Sequence, residues 1–401
     1  MTTGSAPAPQ LGDRSLFPHL QVPYYANFAA ISPPSQPVEQ AVAAQVRDVA
    51  ERGSGSFVTW IGARKALKEQ LASLIGAHAD DLGLAPNTTM GVAAIAFGID
   101  LHPGDRILCV RGEFPANVVP WQQAARRFGA TVDFLPAPEA FATARDWLNE
   151  CSHLLPAKIL AVSAVRFDTG WRAPLAELAE LCHRHGTQLA VDAVQAVGVV
   201  PLDVTALGVD YLACGSHKWL MAPEGSGLLY VRPGLAEALH KTLAGWLSVA
   251  DPADFLTRGP GLLRYDKPVR DRADFLEGAN LAASSCAGLA ASVTILQRIG
   301  VSNIYQHVQQ WHDALEPYLL RRGFTSLRPR EAERRSGILA CRPPAGVDVV
   351  ALQARLAEHG VSCSIPNGNL RFSAHWPSPL AEVAGLTDRL EQALAELPHS
   401  T

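Results

Sequence analysis

The chain has 401 residues, 48% of them apolar and 18% charged, with 34 basic against 38 acidic side chains and a formal charge of −4. Such a length and apolar fraction allow a sizeable core, in two domains or in one large domain with an appendage, and exclude a mainly disordered chain. The charge balance leaves no basic footprint for nucleic acid, no stretch nears the ~20 apolar residues of a membrane helix, and seven scattered cysteines without a CxxC pair support neither a disulfide framework nor a zinc ribbon.

The opening MTTGSAPAPQ lacks a basic-then-apolar signal pattern and predicts a flexible lead over residues 1–17 of a cytoplasmic protein. Residues 38–75 have long helical periodicity, broken at Gly53-Ser54-Gly55. From about residue 80 to 232, short apolar runs alternate with helix-length segments. The runs are Asp81–Ala85, Arg106–Val110, Thr131–Leu135, Lys158–Val162, Gln188–Asp192, Tyr211–Cys214 and Gly227–Val231. This alternation predicts an α/β domain with a mainly parallel sheet covered on both faces. The last connection, with Pro223, Gly225 and Gly227, is too short for a helical crossover, so the final strand is expected to run antiparallel. Residues 279–299 are rich in small residues and helical. A small α+β domain is then expected: a helix over 304–321, a strand over 338–341, a helix over 349–359, strands near Ser362 and over 370–373, and a closing helix. The boundary is set between a large domain, 18–290, and a small one, 291–401. Arg328, Arg330, Arg334 and Arg335, interleaved with Glu331 and Glu333, predict a solvated loop.

The common fingerprints are missing. No GxGxxG follows a strand, and GxxxxGK[ST], HExxH and GxSxG do not occur. Open α/β sheets bind ligands at the carboxyl ends of their strands, and those ends carry the candidate residues. After the first run comes Asn87-Thr88-Thr89, either an ordinary helix cap or, with its hydroxyls and free N–H groups, a phosphate cup. After the second comes Gly112-Glu113-Phe114-Pro115, in which Phe114 either stacks on a flat ring or plugs the core. Asp192 ends the most apolar run and calls for a cation, a protonated ring nitrogen or a cap role. Lys218, in Gly215-Ser216-His217-Lys218-Trp219, directly follows an apolar strand, where desolvation would suit it to Schiff-base chemistry. A phosphate cup, a stacking aromatic, a ring-nitrogen carboxylate and a reactive lysine, in order along one domain, are what pyridoxal phosphate requires.

The runs VDAVQAVGVVPLDV and GVDYLACGSHKWLMAPEGSGLLYVR, with YYANFAAISPPSQPV, GEFPANVVPW, RFDTGWRAPLAELAELC, DFLEGAN and LRFSAHW, resemble the class V aminotransferase family. These are fold-type I pyridoxal-phosphate enzymes, among them cysteine desulfurases, isopenicillin N epimerase-like proteins and kynureninase. The resemblance implies that Lys218 binds the cofactor covalently and that Asp192 pairs with its ring nitrogen. Gln195 would reach the ring oxygen, and Thr88, Thr89, Ser216 and His217 would hold the phosphate. Arg371 would fork onto the substrate α-carboxylate, and Asn27 with the Ala29-Ala30 turn would border the substrate. It also implies a homodimer with active sites near the interface.

This chain departs from the family pattern at several positions. Phe114-Pro115 stands where desulfurases place a histidine over the ring, closer to the kynureninase pattern. Gly215-Ser216 replaces Ser-Gly, Phe167 replaces an asparagine near the ring oxygen, and Ala279 replaces a threonine, with Asn280 beside it as a substitute. Cys363 lies in an apparent strand and lacks the flanks of a mobile nucleophile, so all seven cysteines are read as structural. Trp60, Arg64, His375 and Trp376 either line the substrate pocket or pack. The expected activity is chemistry on a small α-amino acid, with amino transfer as the default. The alternatives are a lyase cleaving a Cβ–S or similar bond, an epimerase, or a non-catalytic cofactor-binding homologue.

Overall fold

The computed structural model describes residues 7–138, 143–279 and 281–397. In chain order its strands are β1 (Tyr24–Tyr25), β2 (Leu82–Leu84), β3 (Arg106–Val110), β4 (Thr131–Leu135), β5 (Ile159–Ser163), β6 (Gln188–Asp192), β7 (Tyr211–Gly215), β8 (Gly227–Val231), β9 (Thr325–Ser326), β10 (Leu339–Arg342), β11 (Val361–Ser362) and β12 (Leu370–Phe372). Its helices are α1 (Gln36–Arg52), α2 (Phe57–Ile75), α3 (Thr88–Ala96), α4 (Val119–Phe128), α5 (Ala144–Leu154), α6 (Leu175–Arg184), α7 (Val204–Leu207), α8 (Asp254–Thr257), α9 (Ala283–Ile299), α10 (Val301–Arg321), α11 (Val349–Glu358) and α12 (Glu382–Ala395).

Seven strands form one sheet in the order β2-β8-β7-β6-β5-β3-β4. Strands β3 to β7 pair in parallel, while β8 runs antiparallel to both β7 and β2, as the short Gly/Pro-rich connection predicts. Alternate residues face opposite sides, so Leu108, Leu160, Leu189 and Leu212 enter one apolar core while Cys109, Ala161, Ala190 and Ala213 enter the other. Both faces are covered, which explains why the strand runs are almost wholly apolar. Gly91 lets α3 lie against β7: a Cβ there would sit 2.8 Å from the Ala213 Cβ. That close approach sets the N-terminus of α3 beside the end of β7.

A third core, with Trp311, Leu315, Leu352, Phe372 and Leu386, holds the C-terminal unit together. There β12-β10-β9 form an antiparallel sheet, and β1 pairs in parallel with β11. The N-terminal segment therefore belongs structurally with the C-terminal unit, through Tyr24 opposite Val361 and an Asn27–Ser373 bridge.

Two expectations are corrected. The flexible lead over 1–17 is anchored at its end: Leu16 and Phe17 are buried, Phe17 packs 5.4 Å from Trp376 between ring centroids, and Gly12 N donates to Trp376 O; residues 1–6 lie outside the described residues. The basic cluster is not a uniformly solvated loop either. Arg328 is buried, donating to Asp313 (2.6 Å) and Glu316 (2.8 Å) on α10 and to Gln309 Oε1 (2.9 Å), whereas Arg330 is exposed. Asp313 and Glu316 lie on one face of α10 by their spacing of three, and the loop folds back onto them.

Candidate active site

The carboxyl ends of β3, β5, β6 and β7 and the N-terminus of α3 open into a cavity of about 500 Å³, closed on one side by the β11–β12 loop. Thr88, Thr89, Phe114, Asp192, Gln195, His217, Lys218 and Arg371 all line it. Ser216 and Asn27 do not.

At the α3 end, Asn87 caps the helix by accepting from Met90 N at 2.9 Å, and the buried Thr88 hydroxyl accepts from Gly215 N at 2.9 Å. A Cβ on residue 215 would lie 3.2 Å from Thr88 Oγ1, so glycine keeps the cup open between helix and strand. The Ser216 hydroxyl is expected in this cup, but it is fully buried and donates instead to Pro223 O (2.5 Å), with Ser226 Oγ 3.0 Å away. The tight 216–226 turn brings that carbonyl to it first. His217 is partly buried, and burial lowers its imidazole pKa.

Lys218 is raised into the cavity by the same turn, with Ser32 bonded to the carbonyls of His217 and Lys218. Among the described residues its ammonium has no hydrogen bond or ion pair, and it lies 5.4 Å from the centroid of the Phe114 ring. Burial lowers its pKa, which Asp192 partly restores and Arg371 lowers further. Asp192 accepts from Val194 N at 3.0 Å, and burial pushes its carboxyl up to about 6. Gln195 donates to Ala29 O (3.0 Å) and accepts from Trp219 Nε1 (2.7 Å), leaving one amide N–H for a ligand.

Phe114 is 43% exposed and meets Phe167 edge-on, with centroids 5.3 Å apart, so its ring serves as cavity wall rather than core plug. Arg371 is buried and held by Ser364 Oγ (2.9 Å) and the Phe167 carbonyl (2.6 Å). Burial lowers its guanidinium to about 10, and N–H groups remain for a carboxylate. Asn27 stands behind this wall with a buried Oδ1 that has no partner among the described residues, so it does not border the cavity directly.

The remaining candidates pack. Arg64 lies 4.9 Å over the Trp60 ring and pairs with Glu277 in a separate cavity that also holds Lys68 and Asp274. His375 bonds Trp219 O at 2.9 Å, and burial takes its imidazole down to about 4. Ala279 is exposed, and Asn280 lies outside the described residues. All seven cysteines are free and buried, the Cys363 thiol being pushed up to about 12.

Several groups escaped the sequence reading. Val194 lines the cavity two residues after Asp192. Glu113 accepts from Ser163 N (2.8 Å) and its hydroxyl, and burial takes it up to about 7. Arg166 ion-pairs with Asp168 (3.1 Å), which also accepts from Asn367 Nδ2 (2.8 Å) in the β11–β12 loop. A carboxylate inside an RFDTG run was the available signal for the last.

These donors fit pyridoxal phosphate: a buried carboxylate short of a cation, a desolvated lysine without a partner, a hydroxyl-lined helix N-terminus and an exposed aromatic face. Fold and site together define a pyridoxal-phosphate-dependent enzyme. The family model described as aminotransferase class-V matches residues 58–369, and the chain belongs to that family. It is similar to the uncharacterized aminotransferase YcbU of Bacillus subtilis (strain 168), 25% identical over 377 residues, covering 94% of this chain and 96% of that one. Isopenicillin N epimerase of Streptomyces clavuligerus is 29% identical over 346 residues, covering 82% and 84%. Among solved structures, a C-DES mutant with glycine covalently linked to its PLP cofactor superposes with a TM-score of 0.84 at 25% identity, covering 94% of this chain and 98% of that one. C-DES is called a cystine C–S lyase in its complex with the reaction product cysteine persulfide.

The shift at Asp192 gives a pH prediction. Its carboxyl moves from 3.8 to about 6 on folding, so the folded state holds the proton more tightly. The cofactor-free protein therefore loses up to ~3 kcal/mol at this group as pH rises through that window. Asp192→Asn removes the titration. In denaturant melts of both cofactor-free proteins, the variant should gain on wild type as pH rises and level off above about pH 6. A difference that stays flat with pH would contradict the assignment.

Proposed function

We propose that the protein is a lyase that removes a leaving group, sulfur first, from Cβ of a small α-amino acid. The observation that carries this reading is that Lys218 faces the Phe114 ring, backed by Phe167, with no second proton donor on that side among the described residues that line the cavity. The C-DES likeness favours elimination over the amino transfer expected by default. Epimerisation needs a protonating group where the phenylalanines stand.

Bound at this site, pyridoxal phosphate supplies an electron sink for the pair left behind when the α-proton departs. Lys218 would hold the cofactor, and its free amine would take the Cα proton and return it to the departing sulfur; its lowered pKa suits both roles. Asp192 keeps the ring nitrogen protonated, and Gln195 offers its free N–H to the ring oxygen. Thr88, Thr89 and His217 hold the phosphate, while Arg371 forks the α-carboxylate. Asn27 supports the Ala29-Ala30 turn from behind. No thiol relay is assigned, since every cysteine is buried.

The same reading places the enzyme in the cytoplasm, in keeping with seven free thiols. No described helix is long and apolar enough to cross a membrane. It also makes the enzyme a homodimer, with the exposed Trp246, Leu256, Leu263 and Tyr265 offered as part of the contact. One preparation tests the reaction and the dimer. Sedimentation should give twice the chain mass, and L-cysteine or cystine should release pyruvate with the cofactor spectrum unchanged. Stable conversion to the pyridoxamine form would establish amino transfer instead, and racemised substrate without pyruvate would establish epimerisation.

A further inference from the structure

We infer that the preferred substrates are cysteine thioethers whose sulfur carries a neutral, apolar group, rather than free cysteine or a charged conjugate. This rests on the lyase reading and names its substrate class.

The cavity wall divides by chemistry. Asn87, Thr88, Thr89 and His217 form the anion end, Asp192, Gln195 and Lys218 the reactive centre, and Ser364 with Arg371 the carboxylate end. What remains for the cofactor ring's faces and the substrate's side chain is Ala29, Ala30, Phe114, Ala116, Phe167, Val194 and Pro366. None of these seven side chains carries a charge or a hydrogen-bond donor. Arg371 is bonded to the Phe167 carbonyl, which fixes the Phe167 ring next to the carboxylate end. Phe114 meets that ring edge-on at 5.3 Å and, with its own exposed face turned to the cofactor, backs the Phe167 ring on the substrate side. An apolar group on sulfur packs on Phe167 and its apolar neighbours, whereas a second charge there loses its water and finds no partner among these side chains.

The reaction balances without an oxidant. The Cβ–S bond breaks and its electron pair leaves on sulfur. The thiolate takes the proton removed from Cα, and the three-carbon remainder takes up one water to give pyruvate and ammonium.

The test uses the cofactor-loaded enzyme and two thioethers of similar size and leaving-group acidity, S-propyl-L-cysteine and S-carboxymethyl-L-cysteine. Pyruvate release should favour the propyl compound by at least about 10-fold in kcat/KM, and L-cysteine should fall below it. By calorimetry, L-homophenylalanine, which has no leaving group, should bind at least about 10-fold more tightly than L-glutamate. Phe167→Asn should shrink both ratios, a readout that is independent of overall loss of activity. If pyruvate is released but the carboxymethyl compound or free cysteine is preferred, the inference is overturned and the lyase reading stands. If neither the thioethers nor L-cysteine yields pyruvate, the lyase reading falls and takes the inference with it.

Discussion

Replacing Lys218 with alanine should lower turnover by at least about 10³-fold while the protein still folds. General acid–base catalysis by one positioned group is worth about 10²–10⁴-fold, and here the same amine also holds the cofactor. The surroundings supply no substitute. Among the lining residues, His217 belongs to the anion end, Arg371 is engaged with Ser364 and Phe167, and Asp192 sits at the end of β6 with Val194 N. The variant should lose the visible band of the lysine-bound cofactor and recover part of its activity when a small primary amine is added. A melting transition close to wild type would show that the loss is chemical. Retention of a tenth or more of the activity, in a preparation free of wild-type protein, would remove Lys218 from its role.

The second large effect is expected on stability, from Arg166→Leu. The Arg166 and Asp168 side chains are 6% and 7% exposed, and they join three loops. Arg166 donates to the carbonyls of Arg111 (3.0 Å) and Gly112 (3.2 Å), just ahead of Phe114. Asp168 accepts from Asn367, whose left-handed backbone (φ 51°) lies four residues before Arg371. Removing the guanidinium strands a buried carboxylate, a change that costs about 3–5 kcal/mol in comparable buried pairs. Denaturant melts should show that loss, and KM should rise more than kcat falls, because Arg371 is held by the carbonyl between the two partners. The double replacement Arg166→Leu with Asp168→Leu should recover part of the stability, since the stranded carboxylate is gone, the recovery being limited by the buried Arg371, whose charge Asp168 also supports. A single variant that melts within about 1 kcal/mol of wild type would contradict this view of the pair.

Much of this was readable from the sequence, for a physical reason. Strands buried on both faces leave apolar runs such as RILCV and QLAVD, and the polar residue that breaks each run marks the end where ligands bind. Lys218 and Asp192 were visible because ionisable residues are rare in such positions. What stayed hidden depends on where a partner arrives from. Ser216 carries the right hydroxyl for an anion, but the turn through Pro223 reaches it first. Arg328 reads as one more solvated arginine until α10 presents Asp313 and Glu316 to it. The Arg166–Asp168–Asn367 link crosses between loops far apart in the chain, which no local pattern records. The choice among elimination, transfer and epimerisation turns on which proton carriers face one another, and that too is a property of the assembled site.

The pairing order of the strands constrains when this protein becomes an enzyme during its own synthesis. Strand β2 is hydrogen-bonded in the sheet only to β8, and α3 with its threonines follows β2 directly. Until the ribosome has delivered Gly227–Val231, β2 has no strand to pair with, although α3 at the anion end can already rest on β7, through Gly91 and Thr88. Tyr24 and Asn27 wait longer still, for Val361 and Ser373, so the turn carrying Ala29 and Ala30 closes only after those residues have emerged. The reactive lysine emerges after Phe114 and Phe167 but well before Ser364, Pro366 and Arg371, which complete the cavity. A nascent chain therefore has no complete pocket through which bound cofactor could steady it, and folding to that point must draw on the packing of the central parallel strands with the helices that cover them.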